Sequence, residues 1–457
     1  MTTNGNVSFW YAASGIPTER PALDGDRTAD VVVVGAGYTG LWTAYYLKQA
    51  RPDLDIVVLE SRFAGFGASG RNGGWLTNSV TGGREQYLRS HDRAVVGRFQ
   101  TLLNETVDEV AGVAAAERID ADIVKGGELT VARNPAQLAR LRQLADAEAA
   151  WPEAAATLLS ADEANARIDV AGCLGAIHHP HSARLHPAKL VRGLAEAVER
   201  LGVTIYESTT VTEIAPRLAR TDRGNVSAQF ILRATEGFTA NLKGEHRTWL
   251  PMNSSMIATE PLPDDVWDQI GWKHMDTLGD MAHAYMYAQR TEDNRIALGG
   301  RGVPYRFGSK TDTDGTTQPG TITMLTEILH SMFPATRGAA IDHAWAGVLG
   351  VPRDWKATVG LDRKTGIGWA GGYVGTGVTA TNLAGRTLRD LVLGDKSELV
   401  TMPWVNRKVR RWEVEPIRWL GVQTMYTAYY AADRAENNNR ATTSPIAKVA
   451  DKVSGRG

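Results

Sequence analysis

Four valines, Val31–Val34, follow Asp30 and run directly into Gly35-Ala36-Gly37-Tyr38-Thr39-Gly40, and this junction constrains the fold more than any other stretch of the chain. An unbroken β-branched run suits a strand buried on both faces, as in a parallel sheet covered by helices. The helical stretch Leu41–Gln49 and a second apolar run, Asp55–Leu59, complete a βαβ unit, and Glu60 closes the second strand 20 residues after Gly40. In such a unit Gly35 makes the tight turn, Gly37 lets backbone approach a pyrophosphate at the helix N-terminus, and Gly40 permits close helix–strand packing. Glu60 is placed to bond ribose hydroxyls. A carboxylate there disfavours a 2′-phosphate, a preference that neighbouring Arg62 weakens. NAD and FAD both fit this much.

Composition narrows the partners. The 457 residues carry 50 Lys+Arg against 51 Asp+Glu, a formal charge of −1, with 43% apolar and 22% charged residues. That balance excludes a disordered acidic chain and an electrostatic nucleic-acid binder, and leaves a small molecule as the expected partner. The single cysteine, Cys173, excludes an intrachain disulfide and a multi-cysteine metal or iron–sulfur site, and a small buried hydrophobe is its expected role. Met1–Ile16 has neither a basic n-region nor an apolar h-region, and no run approaches the ~18 apolar residues of a membrane span, so a soluble cytoplasmic protein is expected. Glycine is the outlier, at 47 residues, about a tenth of the chain against a usual ~7%.

Five of those glycines fall in Gly65–Gly74. A loop of this kind immediately after the ribose-binding acid suits a long rigid cofactor lying against backbone beyond its pyrophosphate, with Ser69, Arg71 and Asn72 as polar contacts. An NAD site needs no such loop. Further along, helical patterns over Tyr87–Glu117, Pro135–Trp151 and Pro187–Leu201 alternate with strand-like runs, of which Val203–Tyr206 reads as a third parallel strand. Runs at Val211–Ile214, Val226–Leu232, Ser255–Thr259, His283–Ala288 and Arg295–Gly299 suggest a more antiparallel sheet. His178, His179, His181 and His186 do not form a helical metal pair, and His186-Pro187 is expected to open a helix.

Taken together, Ser8–Ser14, Gly35–Leu41, Gly67–Gly74, His186-Pro187, Ala258–Leu262, Asp293–Arg295 with Gly299-Gly300, Trp345 with Gly347, and Gly371–Gly385 resemble the D-amino-acid-oxidase-like (DAO) flavoprotein amine oxidases, in particular the γ-glutamylputrescine oxidase-like branch. The resemblance implies an α/β fold: a discontinuous Rossmann-type FAD-binding domain (1–88, 158–240, 341–396) and a substrate domain on a mixed or antiparallel sheet (89–157, 241–340). It implies FAD, expected to be non-covalent, with its ADP half on Gly35, Gly37, Tyr38, Thr39, Gly40, Glu60, Ser61 and Arg62. The flavin is expected near Gly67, Ala68, Ser69, Arg71, Asn72, Gly73 and Gly74 and near Gly372, Gly375, Thr376 and Gly377. Val211 is expected at the adenine and Ala234-Thr235 at the pyrophosphate. Many relatives have histidine where this chain has Thr376. Amides around Gly371–Val378, which open a helix, are expected to face the flavin N1–C2=O edge.

The implied reaction is oxidation of the C–N bond of a primary or secondary amine, of polyamine, γ-glutamyl amine or N-alkyl amino acid type, by hydride transfer to flavin N5 and imine hydrolysis, with O2 as acceptor giving H2O2. Ile296, Ala297 and Leu298 stand where sarcosine-oxidase-like relatives place an oxygen-activating lysine, so a dehydrogenase remains open, as does a non-enzymatic flavin-binding redox or partner module. Tyr285 and Tyr287, alternating on one strand, with Arg290, Arg301 and Trp345, are the expected substrate-lining groups, the aromatics for an aliphatic amine and an arginine for a carboxylate. Near the C-terminus (397–435), Trp419, Val422, Tyr426, Tyr429 and Tyr430 fall on one helical face beside the basic run Arg407–Arg411. That face suits the protein's own body, a peripheral membrane contact or a protein partner. Residues 436–457 are polar and expected to be mobile.

Overall fold

The computed structural model describes residues 3–300, 305–311, 314–438, 440 and 442–454. Two eight-stranded sheets organise them. In the first, the valine-rich strand Arg27–Val34 pairs parallel with Ile56–Leu59 on one side and Asn225–Arg233 on the other. Thr204–Tyr206 and Ile367–Gly371 continue the parallel order outward. Strand parity divides the valines. Val31 and Val33 join Leu41, Leu190 and Val378 under the helices Tyr38–Ala50, Pro187–Arg200 and Gly377–Leu393, while Val32 and Val34 pack with Val57, Ala219 and Ile214. Burial on both faces is what the unalternated valine run requires.

The second sheet runs Ile341–Val351, Leu250–Thr259, Ile296–Gly300, Tyr287–Arg290, Thr277–Asp280, Glu128–Ala132, Gly175–His179, Thr157–Leu159. Its ladders are antiparallel except Thr277–Asp280 with Glu128–Ala132. Three assignments differ from the sequence partition. Gly175–His179 and Ile341–Val351, grouped there with the nucleotide-binding segments, pair in the second sheet, because a short apolar run carries no mark of which sheet it joins. The helix expected over Tyr87–Glu117 is Arg84–Tyr87 followed by Arg93–Ala116, and the latter buries Val96, Phe99 and Leu103 against Leu383 and Leu388 of Gly377–Leu393, on the first sheet's side. The strand expected from His283 begins only at Tyr287.

At the C-terminus the helix Ile417–Asn437 buries Val422, Tyr426 and Tyr429 on the body with Leu250, Met252 and Val351. The tail expected to be mobile is a second helix, Pro445–Ser454, tied down by buried Ala447 and Ala450 and by a 2.8 Å bond from Tyr429 Oη to Asp451. Glu436 is buried rather than solvated: it pairs with Arg140 at 2.7 Å and bonds His283 Nε2 at 2.9 Å. His186 Nδ1 accepts the Lys189 N–H and N-caps Pro187–Arg200, and burial lowers its pKa to about 4. Cys173 is buried in the second sheet's core. Among the described residues no helix is long and apolar enough to cross a membrane.

Candidate active site

The first βα turn and the second glycine loop close on each other. A Cβ on Gly40 would lie 2.0 Å from the Gly35 carbonyl oxygen and 2.9 Å from Val33, and one on Gly35, at φ +105°, would lie 2.7 Å from the Ala234 oxygen. The helix Tyr38–Ala50 therefore starts hard against its strand, and Gly37 gives it no side-chain cap. Ser69 Oγ accepts the Tyr38 N–H at 2.8 Å, docking the second loop on the first. Between them runs a channel. One wall holds Gly35, Gly37, Tyr38, Thr39, Glu60 and Ser61, then Gly67, Ala68, Ser69 and Asn72; the other holds Val211, Ala234 and Thr235. Gly40 supports the turn from behind. Arg62 also stands off the wall, with its guanidinium 5.0 Å from the Phe66 ring centroid.

The Glu60 carboxylate accepts the Ala36 and Arg62 N–H groups at 2.9 and 3.1 Å, while burial holds its pKa above the ordinary value. No Lys or Arg side chain lines this channel among the described residues. Ser69 takes the Tyr38 N–H, and an anion here would meet the rest of the first helical turn, which has no side-chain cap, and the positive helix end, the usual means of holding a pyrophosphate. A long channel with an acid at one end and an open helix N-terminus in its wall fits FAD.

At the other end of the channel the third glycine cluster departs from expectation. Gly372 and Tyr373 N–H groups donate to the Glu236 carboxylate at 2.8 and 3.3 Å, and Gly350 N–H does so at 3.1 Å. These amides are occupied by a side chain that the sequence reading missed. Glu236 sits at φ +42°, and burial pushes it up to about 7 against the pull of its three amide donors. The groups lining the channel here are Tyr373, Gly375, Gly377 and Val378, at the start of the helix Gly377–Leu393. Gly372 lies behind them, where a Cβ would strike Pro352 at 2.4 Å.

A second cavity shares Ala68, Asn72, Leu349, Gly375 and Val378 with the channel. Arg71, Gly73, Tyr285, Tyr287 and Thr376 line it, as do Trp75, Thr77, Glu128, Thr130, Ser254 and Asp280, none of which the sequence reading singled out. The Tyr287 ring is wedged between Gly73 and Gly299, where added Cβ atoms would lie 2.7 and 2.3 Å from it, and Tyr287 Oη shares a 2.9 Å bond with Ser254. Trp75 stands edge-on to Tyr287, with centroids 6.1 Å apart. Thr376 Oγ1 donates to the Tyr373 carbonyl at 3.0 Å and shares a 2.6 Å bond with Thr81. Tyr285 precedes the strand but reaches the same cavity. The signal available for the missed groups was alternation: Trp75 and Thr77 on one short strand, Glu128 and Thr130 on another.

Two expected substrate groups are placed otherwise. Arg290 has the opposite strand parity to Tyr287, so it faces away, bonded to Asn294 and the Trp272 carbonyl and lying 4.0 Å from the Trp267 ring centroid. Trp345 is fully buried behind the loop, its Nε1 donating to the Arg71 carbonyl at 2.8 Å. Arg301 lies outside the described residues. Gly74 also stands off both walls, packed on Gln289 and the Leu185 carbonyl.

Comparison with known proteins gives the family and the fold. The family model described as DAO, FAD dependent oxidoreductase, matches residues 30–391. Gamma-glutamylputrescine oxidoreductase of Escherichia coli K12 is 31% identical over 399 residues, covering 85% of this chain and 90% of that protein. A probable oxidoreductase, OrdL, of Haemophilus influenzae is 27% identical over 86% of this chain and 89% of its own length. Among solved structures, glycine oxidase from Geobacillus kaustophilus superposes with a TM-score of 0.69 at 19% identity, covering 84% of this chain and 99% of that one.

Proposed function

This chain belongs to the DAO family of FAD-dependent oxidoreductases, and on that premise we propose that it oxidises the C–N bond of a primary or secondary aliphatic amine where its two cavities meet, with O2 as electron acceptor. The observation that carries this reading is the shared wall of Ala68, Asn72, Leu349, Gly375 and Val378, which opens the dinucleotide channel onto a separate aromatic cavity. The substrate class follows the Escherichia coli relative, whose name specifies a putrescine derivative. Bound non-covalently in the channel, FAD would supply the two-electron acceptor for hydride leaving the α-carbon and for the reduction of O2 to H2O2, leaving an imine for water to hydrolyse. Gly35, Gly37, Tyr38, Thr39 and Glu60 would hold its ADP half. Gly375–Val378 present the positive end of an uncapped helix to the charge that develops at the junction. Trp75, Tyr285 and Tyr287 orient the aliphatic chain and desolvate the amine, which reacts as the neutral base.

An anaerobic titration tests this. An aliphatic amine is expected to bleach the visible flavin bands, and air to restore them with one H2O2 per amine consumed. Failure of every amine in a broad panel to bleach the flavin overturns the reading. Ile296, Ala297 and Leu298 are buried and apolar, which favours a second reading, an amine dehydrogenase; bleaching by amine with restoration by an artificial dye but not by air would select it.

A further inference from the structure

The charges of the second cavity bear on which amine it takes, a question that rests on the C–N oxidation reading above. Among the described residues, its charged lining groups are Arg71, Glu128 and Asp280. Arg71 is buried and engaged: Nε donates to the Phe66 carbonyl at 2.8 Å, Nη1 to the Ala346 carbonyl at 3.3 Å, and the guanidinium lies 4.3 Å from the Phe66 ring centroid. The two carboxylates are only half satisfied. Glu128 Oε2 accepts from the Thr77 hydroxyl at 2.7 Å, and Asp280 Oδ1 accepts from the Met286 and Ala282 N–H groups at 3.1 and 3.4 Å. Among the described residues, Glu128 Oε1 and Asp280 Oδ2 accept no hydrogen bond, and neither carboxylate forms an ion pair with a Lys, Arg or His. Neither oxygen is sealed from solvent, so each can accept from a cationic donor that enters the cavity.

The geometry points to an aliphatic di- or polyamine as the substrate, with its neutral reacting amine at the shared wall and its distal ammonium groups held by Glu128 and Asp280, in preference to amines whose far end carries a carboxylate. In the parallel ladder Glu128 stands beside Thr277 and Asp280 beside Val131. The two acids are thus offset by three residues, about 10 Å along the strands; Asp280 has the opposite parity to Glu128 but ends its strand, and its carboxylate turns out of the alternation to accept from Ala282 and Met286 in the turn that follows. The anionic lining is a stretch rather than a point, and a flexible chain with more than one cation matches it. Tyr285, Tyr287 and Trp75 supply the intervening surface, favourable to methylenes and to ammonium alike.

The test uses the FAD-loaded full chain with putrescine, spermidine, n-butylamine, N-γ-glutamylputrescine and sarcosine. Putrescine or spermidine is expected to exceed n-butylamine in kcat/KM by about 100-fold, and that ratio is expected to fall at least about 30-fold in Glu128→Gln or Asp280→Asn, mainly through KM. Both variants keep an oxygen for the Thr77 hydroxyl or the Met286 N–H, and unchanged flavin content and circular dichroism would show that they are folded. Calorimetric titration with 1,4-diguanidinobutane, as a non-reacting dication, gives a readout apart from turnover: tight binding to the wild type and at least about tenfold weaker binding to either variant. The inference is overturned if n-butylamine matches putrescine, if sarcosine or N-γ-glutamylputrescine is preferred to both free polyamines, or if the variants leave the ratio unchanged. Any of those results leaves amine oxidation standing. Absence of bleaching by all five amines overturns both readings.

Discussion

The two cavities that meet at Ala68 and Asn72 are built by opposite means. The channel is walled largely by backbone, through the turn Gly35–Gly40 and the loop Gly65–Gly74, and Gly35, Gly40, Gly70 and Gly74 are compulsory there because neighbouring main chain occupies the place of a side chain. The second cavity is walled by side chains that alternate along strands of the other sheet, and the glycines that matter there, Gly73 and Gly299, make room for one ring. Contact through backbone forces glycine at fixed spacing. Contact through side chains forces only parity and chemistry, which many sequences share.

Alanine at one glycine of each kind separates the two designs. Gly40→Ala drives a Cβ into the Gly35 carbonyl at 2.0 Å, and neither the strand nor the helix can yield. The expected cost exceeds about 3 kcal/mol, read as a protein recovered without flavin or insoluble. Retention of stoichiometric FAD at an unchanged melting temperature would break the contrast. Gly73→Ala meets only the Tyr287 ring, at 2.7 Å. That ring can rotate if its bond to Ser254 is given up, so FAD content is expected to persist while KM for amine rises about tenfold. Loss of flavin instead would mean that the two walls are mechanically one.

The same contrast explains what was legible in the chain. Val31–Val34, the glycine clusters and Glu60 are consecutive in sequence and identify a parallel sheet with a dinucleotide channel, and every cofactor position named from them except Gly40, Arg62, Gly74 and Gly372 lies on a cavity wall. Arg62 stacks on Phe66 and the three glycines pack against main chain or side chains. Glu236 was illegible because it acts from a position outside any motif, drawing the Gly350, Gly372 and Tyr373 amides together across two sheets. Glu128 and Asp280 were illegible for a related reason. Their strands are adjacent in space, but well over a hundred residues apart in the chain, and an isolated acid on a short strand reads as surface. Arg290 shows the converse: proximity along the chain to Tyr287 suggested a shared site, and an odd offset puts it on the opposite face.

Acidity sharpens the comparison at intermediate scale. Burial raises Asp280 to about 6 with Asp433 adding in the same direction, while the Met286 and Ala282 amides and Arg133 oppose it. A raised carboxylate pKa means that the anion is present above about 6 and lost as pH falls through it. The putrescine-to-butylamine ratio of kcat/KM is therefore expected to drop several-fold between pH 7 and pH 5, because the ratio cancels the deprotonation common to both amines. In Asp280→Asn the ratio is expected to be flat over that range. A wild-type ratio independent of pH would remove Asp280 from substrate recognition.

The smallest expected effect lies on the border between the two designs. Thr376 is a side chain in a backbone-built segment, at the position where many relatives of the resembled family have histidine, and its hydroxyl is spent on the Tyr373 carbonyl and on Thr81. Both bonds hold the turn that leads into the helix Gly377–Leu393. Thr376→Val removes them without changing volume much, and because the site adjoins a cavity, water can replace part of the loss. The expected cost is about 1 kcal/mol, seen as a melting-temperature decrease of roughly 1–3 °C, with the flavin spectrum unchanged and anaerobic bleaching by amine slowed less than about fivefold. A slowing beyond about 100-fold at full flavin content would instead place the hydroxyl in contact with the reacting atoms, since a lost loop tether would show in stability before it showed in the chemical step.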